Sequence, residues 1–312
     1  MLYFRNIQEA EEEKKNAYRS CRLCPRECGV NRLAGERGRC LVSGELMAAR
    51  AALHMWEEPC LSDVEGSGTV FFSGCNLGCV FCQNHSIAAA DTGRSISEER
   101  LAEIFLELQD KGANNINLVT PTHYLPTIIL SLIQAKEQGL RLPIVYNTSG
   151  YEKVETLKCL EGLVDVWLPD FKYWDSSLSA KYSHAPDYPE YAKKAIAEMV
   201  RQAGEPVFDE KEHMVRGVIV RHLLLPGHLA DSKRVIRYLY EEYGDRIFLS
   251  IMNQYTPMPG MEKYPELNRR VTEAEYDALV DYAIDLGVEN GFIQEGETAE
   301  ESFIPAFDYE GL

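Results

Sequence analysis

From Gly68 onward the chain alternates short apolar runs with longer amphipathic ones, the pattern of repeated β-α units around a parallel sheet. The predicted strands are 69–73, 116–120, 144–147, 164–168, 218–224 and 248–252. All are rich in Val, Ile, Leu or Phe without strict alternation, as expected of strands covered on both faces. Between them lie helices with recognisable punctuation. Ser97 is placed to cap a helix whose Leu101, Ile104, Phe105 and Leu108 share one face, and Gly112 stops it. Pro126 opens the next helix as a first-turn proline and Gly139 closes it. Further helices are predicted over 153–160, 232–242 and 272–286, with 188–204 as an extra helix inside a long connection. Six βα units with one enlarged connection predict an α/β fold, a partial (β/α)6 TIM-like barrel. A doubly wound open sheet shares this pattern and is the alternative architecture.

Residues 1–67 read differently. A charged amphipathic start precedes a loop-rich Cys, Gly and Arg segment with no clear strand period. So few apolar residues make a poor core unaided, which suggests a small Cys-rich, metal-stapled lobe over 1–67 beside a barrel domain over 68–312 with a C-terminal extension. That extension, residues 295–312, is acidic with aromatic punctuation and reads as a surface strap or a partly mobile tail.

Composition narrows the function classes. Of 312 residues, 45% are hydrophobic and 26% charged, which supports a sizeable core and excludes wholesale disorder. The net charge of −17 repels phosphate backbones and anionic lipid, so neither nucleic acid nor a membrane is an expected partner. No apolar run reaches the roughly 18 residues of a membrane span, and the polar, acid-rich start does not read as a signal peptide. The expectation is a soluble cytoplasmic protein. Nine cysteines fall mainly into two clusters, four at 21–40 and three at 75–82, which in a chain of this length read as metal ligands in a reducing compartment.

The second cluster carries the strongest chemical signal. Cys75, Cys79 and Cys82 follow the first predicted barrel strand with C-x3-C-x2-C spacing and Phe81 immediately before the last cysteine. Three thiolates this close can ligate three corners of a [4Fe-4S] cluster, leaving one iron for a non-protein ligand. The loop also lies at the C-terminal end of a strand, where parallel α/β folds place their chemistry. The competing reading is a zinc site completed by His85, or simply buried thiols.

This loop in its strand context resembles the radical S-adenosylmethionine (SAM) superfamily. The surrounding residues resemble its glycyl-radical activating-enzyme branch, typified by pyruvate formate-lyase activating enzyme. The resemblance covers roughly residues 66–260. It implies that the open iron chelates SAM, and that an electron from the reduced cluster cleaves the sulfonium to methionine and a 5′-deoxyadenosyl radical that abstracts hydrogen. Asn147-Thr148-Ser149-Gly150-Tyr151 is similar to the family's Asp-Thr-Asn-Gly-aromatic stretch, which implies that Asn147 and Thr148 lie beside SAM. Leu168-Pro169-Asp170-Phe171-Lys172 resembles its Leu-Asp-Leu-Lys and implies contacts from Asp170 and Lys172. The run 220–227 resembles the strand-five Arg-aliphatic-Pro-Gly motif and suggests Arg221, while Asn253, Gln254 and Tyr255 occupy the place of a family histidine. An ion pair closing a barrel rim would equally account for an Asp and a Lys two residues apart.

The chain departs from that family after the second strand. Where activating enzymes carry Ser-Gly-Gly-Glu, it reads Thr120-Pro121-Thr122-His123-Tyr124. Thr120 or Thr122 is then the candidate for the SAM ammonium, and His123 for a polar or acid/base role on the substrate side or a helix-entry hydrogen bond.

Cys21, Cys24, Cys28 and Cys40, with Gly29, Gly35 and Gly38 for tight turns, form a second set of four thiols. Arg22, Arg26, Arg32, Arg37 and Arg39 would partly neutralise its negative charge. The segment resembles the N-terminal CxxCPxxC stretch of a subgroup of activating-enzyme-like radical SAM proteins. Structural zinc, an auxiliary iron–sulfur cluster and unmetallated thiols all fit it. Cys60 and Cys159 read as ordinary buried thiols.

The resemblance therefore implies a radical SAM oxidoreductase using a [4Fe-4S] cluster, SAM and a low-potential electron donor such as flavodoxin or ferredoxin. Its favoured substrate is a glycyl-radical protein. The alternatives are a radical SAM enzyme acting on another peptide or a small molecule, and a non-catalytic iron–sulfur or zinc protein for electron transfer or scaffolding.

Overall fold

The computed structural model describes residues 7–294 and 305–312. In chain order the strands are β1 Met47–His54, β2 Ser67–Phe72, β3 Arg94–Ser95, β4 Ile116–Val119, β5 Ile144–Thr148, β6 Val166–Pro169, β7 Val207–Phe208, β8 Met214–Leu223, β9 Phe248–Met252 and β10 Gly291–Ile293. They form one sheet in the order β10-β9-β8-β6-β5-β4-β2-β1-β3, with β7 paired to β8. The run from β2 to β10 is parallel, whereas β1 pairs antiparallel with β2 and β3 antiparallel with β1.

The parallel strands follow one another in chain order. A doubly wound sheet reverses its strand order at a switch point, so that alternative is excluded. The fold is α/β, a partial TIM-like barrel, and among the described residues hydrogen bonds do not close the sheet between β10 and β3. Period-two alternation sorts the strand residues. Ile116, Leu118, Ile144, Tyr146, Trp167, Val218, Val220, Leu249 and Ile251 pack outward into the main core, while Val145, Val166, Leu168 and Ile219 form a separate inner cluster.

The helix punctuation acts as its chemistry requires. Ser97 Oγ accepts from Arg100 N–H at 3.1 Å at the head of Glu98–Asp110. Thr272 and Glu275 form a reciprocal capping box at the head of Glu273–Leu286. The helix predicted over 153–160 is a single α turn, Val154–Leu157, followed by a 3-10 turn.

Three elements have no sequence signal. β1 reads MAARAALH, rich in alanine, and becomes a strand because β2 presents a free antiparallel edge. β10, only three residues long, adds a seventh parallel strand. Helix Ser176–Ser183 has a weakly amphipathic face and starts at Asp175, whose carboxylate accepts from Ser177 N–H at 2.7 Å.

Residues 305–312 lie as a strap along β1. Tyr309 N–H donates to Ala49 O at 3.1 Å, Ala51 N–H donates to Glu310 O at 2.8 Å, and Arg50 pairs with Asp308 and Glu310. The rest of the acidic C-terminal stretch, 295–304, and the first six residues of the amphipathic start lie outside the described residues. Among the described residues no helix is long and apolar enough to cross a membrane, and all nine cysteines are free.

Candidate active site

The three-cysteine loop leaves β2 through Gly74, whose φ of +90° lies in the left-handed region. A Cβ there would stand 2.6 Å from the Cys40 carbonyl oxygen, so only glycine lets the loop and the four-cysteine segment approach this closely. The turn is held by its own sulfurs and by neighbouring backbone. Leu77 N–H donates to Cys75 Sγ at 3.4 Å, Cys82 N–H to Cys79 O at 3.2 Å, and Ser183 Oγ to Cys79 Sγ at 3.1 Å. Val80 N–H donates to Tyr182 O at 2.8 Å and Asn76 Nδ2 to Tyr151 O at 2.8 Å.

All three cysteines line one open cavity of about 230 Å³ at the C-terminal ends of the parallel strands. Burial, with the charge of the neighbouring thiols, pushes the Cys82 thiol up to about 12 and Cys75 upward, while Lys172 opposes the rise. Such thiols stay protonated until a metal displaces the protons. His85 is exposed and lies outside the cavity lining, so it does not complete a zinc tetrahedron there.

Thr120, Asn147, Thr148, Asp170, Lys172, Arg221 and Gln254 line the same cavity. Register explains the convergence, since Asn147 pairs with Leu168 and Val119 across β5, and Asp170 bridges to Arg221. Asp170 is the hub: Lys172 Nζ donates to Oδ2 at 2.6 Å and Arg221 Nε to Oδ1 at 2.9 Å. Burial opposes its ionisation, yet these two cations outweigh it and hold the carboxyl below the usual range. Burial likewise works against the Lys172 ammonium, but Asp170 and the nearby Cys79 thiol raise its pKa. Arg221 Nη2 also donates to Asn147 Oδ1 at 2.6 Å.

Thr122 and His123 stand outside this lining. Thr122 Oγ1 donates to the buried carboxylate of Glu152 at 2.6 Å. His123 Nε2 lies 2.8 Å from Ser73 O, and burial, reinforced by Arg32, lowers its pKa to about 3. A ring held neutral and turned into the core accounts for its position at the helix entry. Thr120 does face the cavity, with a left-handed φ of +57° that is costly for a β-branched residue.

Several residues at the site escaped the sequence reading. Glu57 enters the barrel from below with its side chain only 8% exposed, 3.3 Å from Arg221 Nη1 and from Asn147 Nδ2. Burial raises its pKa against the pull of Arg221. Glu152 joins Thr122 to Thr148, and burial raises it to about 7. The Tyr188 hydroxyl lies 2.9 Å from Ser149 O and 3.0 Å from Asp170 O, and accepts from Lys172 N–H at 2.9 Å. Arg26 reaches over from the four-cysteine segment and donates to Asn76 O and Leu77 O at 3.0 Å each. No local motif announces these contacts, because each joins positions far apart in the chain.

A three-thiol loop beside a polar cavity at the mouth of a parallel partial barrel is an arrangement suited to an iron–sulfur cofactor enzyme of the α/β-barrel class. The family model of the radical SAM superfamily matches residues 69–239, more than half of the chain, and the chain belongs to that superfamily. An uncharacterized protein of Methanocaldococcus jannaschii is 31% identical over 281 residues, 87% of this chain and 76% of the relative. Among solved structures, Streptococcus suis SuiB bound to S-adenosylmethionine matches with a TM-score of 0.50 and 15% identity over 72% of this chain and 49% of SuiB. SuiB bound to its precursor peptide SuiA matches with a TM-score of 0.50 and 14% identity over 72% of this chain and 47% of SuiB. The chain thus spans about half the length of SuiB. A domain of a pyruvate-formate lyase-activating enzyme from Bacteroides vulgatus is also similar, with a TM-score of 0.41 and 15% identity over 55% of this chain and 92% of that one. Membership of the superfamily implies a [4Fe-4S] cluster and SAM.

The residues present fit those groups. Three thiols converge with a polar wall of mixed charge. Among the described residues, the one set of three Cys, His, Asp or Glu ligand atoms lying within 4.8 Å of one another is Asp63, Glu65 and His213. The cysteine loop is therefore more open than a zinc triad, whose sulfurs stand roughly 3.8 Å apart around a tetrahedral ion.

Proposed function

We propose that this radical SAM protein activates a glycyl-radical protein by abstracting hydrogen from a backbone glycine. The observation that carries the radical SAM part of this reading is the cavity in which Cys75, Cys79 and Cys82 face Thr120, Asn147, Thr148, Asp170, Lys172, Arg221 and Gln254; the glycyl-radical substrate rests on the resemblance of 147–151 and 168–172 to activating enzymes. When bound, the cluster and SAM supply the chemistry, in which one electron from a low-potential donor such as flavodoxin or ferredoxin divides the sulfonium into methionine and a 5′-deoxyadenosyl radical that takes a hydrogen atom. Cys75, Cys79 and Cys82 would each hold one iron. Lys172 and Arg221 offer cations to the SAM carboxylate, while Thr120 and Thr148 offer oxygens to its ammonium. Asn147, Asp170 and Gln254 would orient the nucleoside. Free cysteines throughout suit a reducing compartment, and we read the protein as cytoplasmic.

The test uses anaerobically reconstituted full chain, reduced in the presence of SAM. Wild type should form 5′-deoxyadenosine and Cys79→Ala should not; equal cleavage by both would sink the catalytic assignment. With a matching glycyl-radical protein, a protein-based radical signal should appear by electron paramagnetic resonance. A second reading, modification of another peptide, draws support from the likeness to SuiB bound to a precursor peptide. SAM cleavage without a radical signal across a broad panel of glycyl-radical proteins would favour it.

A further inference from the structure

Between Cys21 and Cys40 the chain carries five arginines and two glutamates, a local excess of positive charge in a protein of net charge −17. Glu27 is already paired with Lys153, and Glu36 accepts from Asn31 N–H at 2.7 Å. Arg32 is the most telling of the five. It is only 1% exposed, stacks over Tyr18 at 4.5 Å and Tyr124 at 5.5 Å, and donates to the carbonyls of Ser43 and His123. The ionisable groups that act on it electrostatically are the Tyr18 and Tyr124 phenols and the Cys40 and Cys21 thiols, with no carboxylate among them. A buried guanidinium without a counter-anion is costly. Metal-bound sulfurs at Cys21 and Cys40 would supply that negative charge.

The four thiols are neighbours. Cys21, Cys24 and Cys40 are buried, and the segment folds back through Gly29 N–H to Cys21 O at 2.9 Å and Cys21 N–H to Val30 O at 3.0 Å. Cys28 Sγ accepts from Arg39 N–H at 3.3 Å, and a Cβ on Gly38 would stand 2.8 Å from that sulfur. No three of these sulfurs lie within 4.8 Å of one another, the openness already seen in the catalytic loop and unlike zinc tetrathiolate. Ligands that each take a separate iron at the corners of a cluster need this wider spread.

The segment also grips the catalytic loop. Arg26, between Cys24 and Cys28, donates to Asn76 O and Leu77 O at 3.0 Å each and to Ser183 O at 2.9 Å, and stacks over Tyr151 at 5.1 Å. Arg39 packs against Gly78, and the Cys40 carbonyl abuts Gly74. We propose that Cys21, Cys24, Cys28 and Cys40 hold a second [4Fe-4S] cluster, and that the segment around it braces the Cys75–Cys82 loop through Arg26. The bracing rests on the reading of that loop as the SAM cluster site; the second cluster does not.

Iron, sulfide and zinc are measured on anaerobically reconstituted full chain. Wild type should hold about eight irons, and the triple variant Cys75→Ala, Cys79→Ala, Cys82→Ala should keep about four, with a cluster absorption spectrum. The double variant Cys24→Ala, Cys28→Ala, which leaves only two thiols at the N-terminal set, should also leave about four irons, now at the other loop, and covers the case in which the triple variant fails to fold. One zinc and no iron in the triple variant, or no metal at all, would overturn the second cluster. Were the Cys75–Cys82 loop misread instead, the triple variant would keep all the iron and the Cys24→Ala, Cys28→Ala double variant would lose it. For the brace, Arg26→Gln should keep both clusters yet lose the Cys75–Cys82 iron to a chelator severalfold faster, with faster hydrogen exchange over 76–78. Unchanged chelation and exchange would refute the brace.

Discussion

Arg221 on β8 reaches across to Asp170 at the end of β6, its Nε donating to Oδ1 at 2.9 Å, while Lys172 holds the other carboxylate oxygen at 2.6 Å. One anion thus keeps two largely buried cations, each 16% exposed, apart beside the cavity that they line. Replacing it by Asp170→Asn leaves the cations facing each other without compensation. Breaking such a buried pair costs roughly 3–5 kcal/mol, so the variant should unfold at clearly lower urea concentration and bind SAM more weakly. The Asp170 carboxyl is held below its ordinary pKa, so its contribution is present above the unfolded value of 3.8 and is lost as pH falls through the lower folded value. Asp170→Asn should flatten that acid limb. An unchanged limb would remove Asp170 from its role as hub.

Glu152 predicts the opposite slope. Burial raises it from 4.5 to about 7, so the folded state favours the proton and the stabilisation is complete below 4.5 and lost as pH rises through about 7. The lost stabilisation is about 3 kcal/mol by the size of that shift. Glu152→Gln keeps an oxygen for Thr122 and Thr148 without ionising. Urea titrations of the metal-free protein from pH 4.5 to 8 should show wild type losing stability relative to the variant; parallel curves would contradict the assignment.

Tyr188 ties the ends of β5 and β6 through one hydroxyl shared among Ser149 O, Asp170 O and Lys172 N–H. Tyr188→Phe keeps the ring packing and strands these backbone groups, a cost of about 1–3 kcal/mol. Calorimetry should show SAM affinity reduced about tenfold, the effect of a comparable loss at the Asp170 and Lys172 anchors. Native affinity in the variant would show that the hydroxyl only supports the fold.

Cluster assembly should release protons. Burial pushes the Cys82 thiol up to about 12 and raises Cys75, so these thiols enter the reaction protonated at neutral pH. Each proton displaced weakens iron loading roughly tenfold per pH unit of acidification. A pH-stat during anaerobic reconstitution should register acid release that disappears in the Cys75, Cys79, Cys82 triple alanine variant to the extent that this loop contributes. Equal release from both proteins would mean that these thiols are not the ligands.

The strand and helix rhythm, the cap at Ser97 and the glycine stops were legible because they are local: each depends on residues within a turn or two of one another. The Cys75–Cys82 loop was legible for the same reason, since its three thiols fit within eight residues. The strand-end stations Asn147, Asp170, Lys172 and Arg221 were reached by resemblance and converge because parallel register aligns the strand ends. β1 was illegible, because an alanine-rich stretch becomes a strand only when a partner edge is present.

The sequence by itself determined the α/β repeat and placed three thiols at the strand ends that line the cavity. Only the tertiary structure decided that Thr122 turns to Glu152 rather than into the cavity, that Glu57 plugs the barrel beneath Arg221, and that Arg26 spans fifty residues of chain to hold Asn76. Hydrogen bonds and charge compensation act over about 3 Å of space whatever the separation along the chain. Spacing in sequence reveals them only where the chain returns to itself within a few residues.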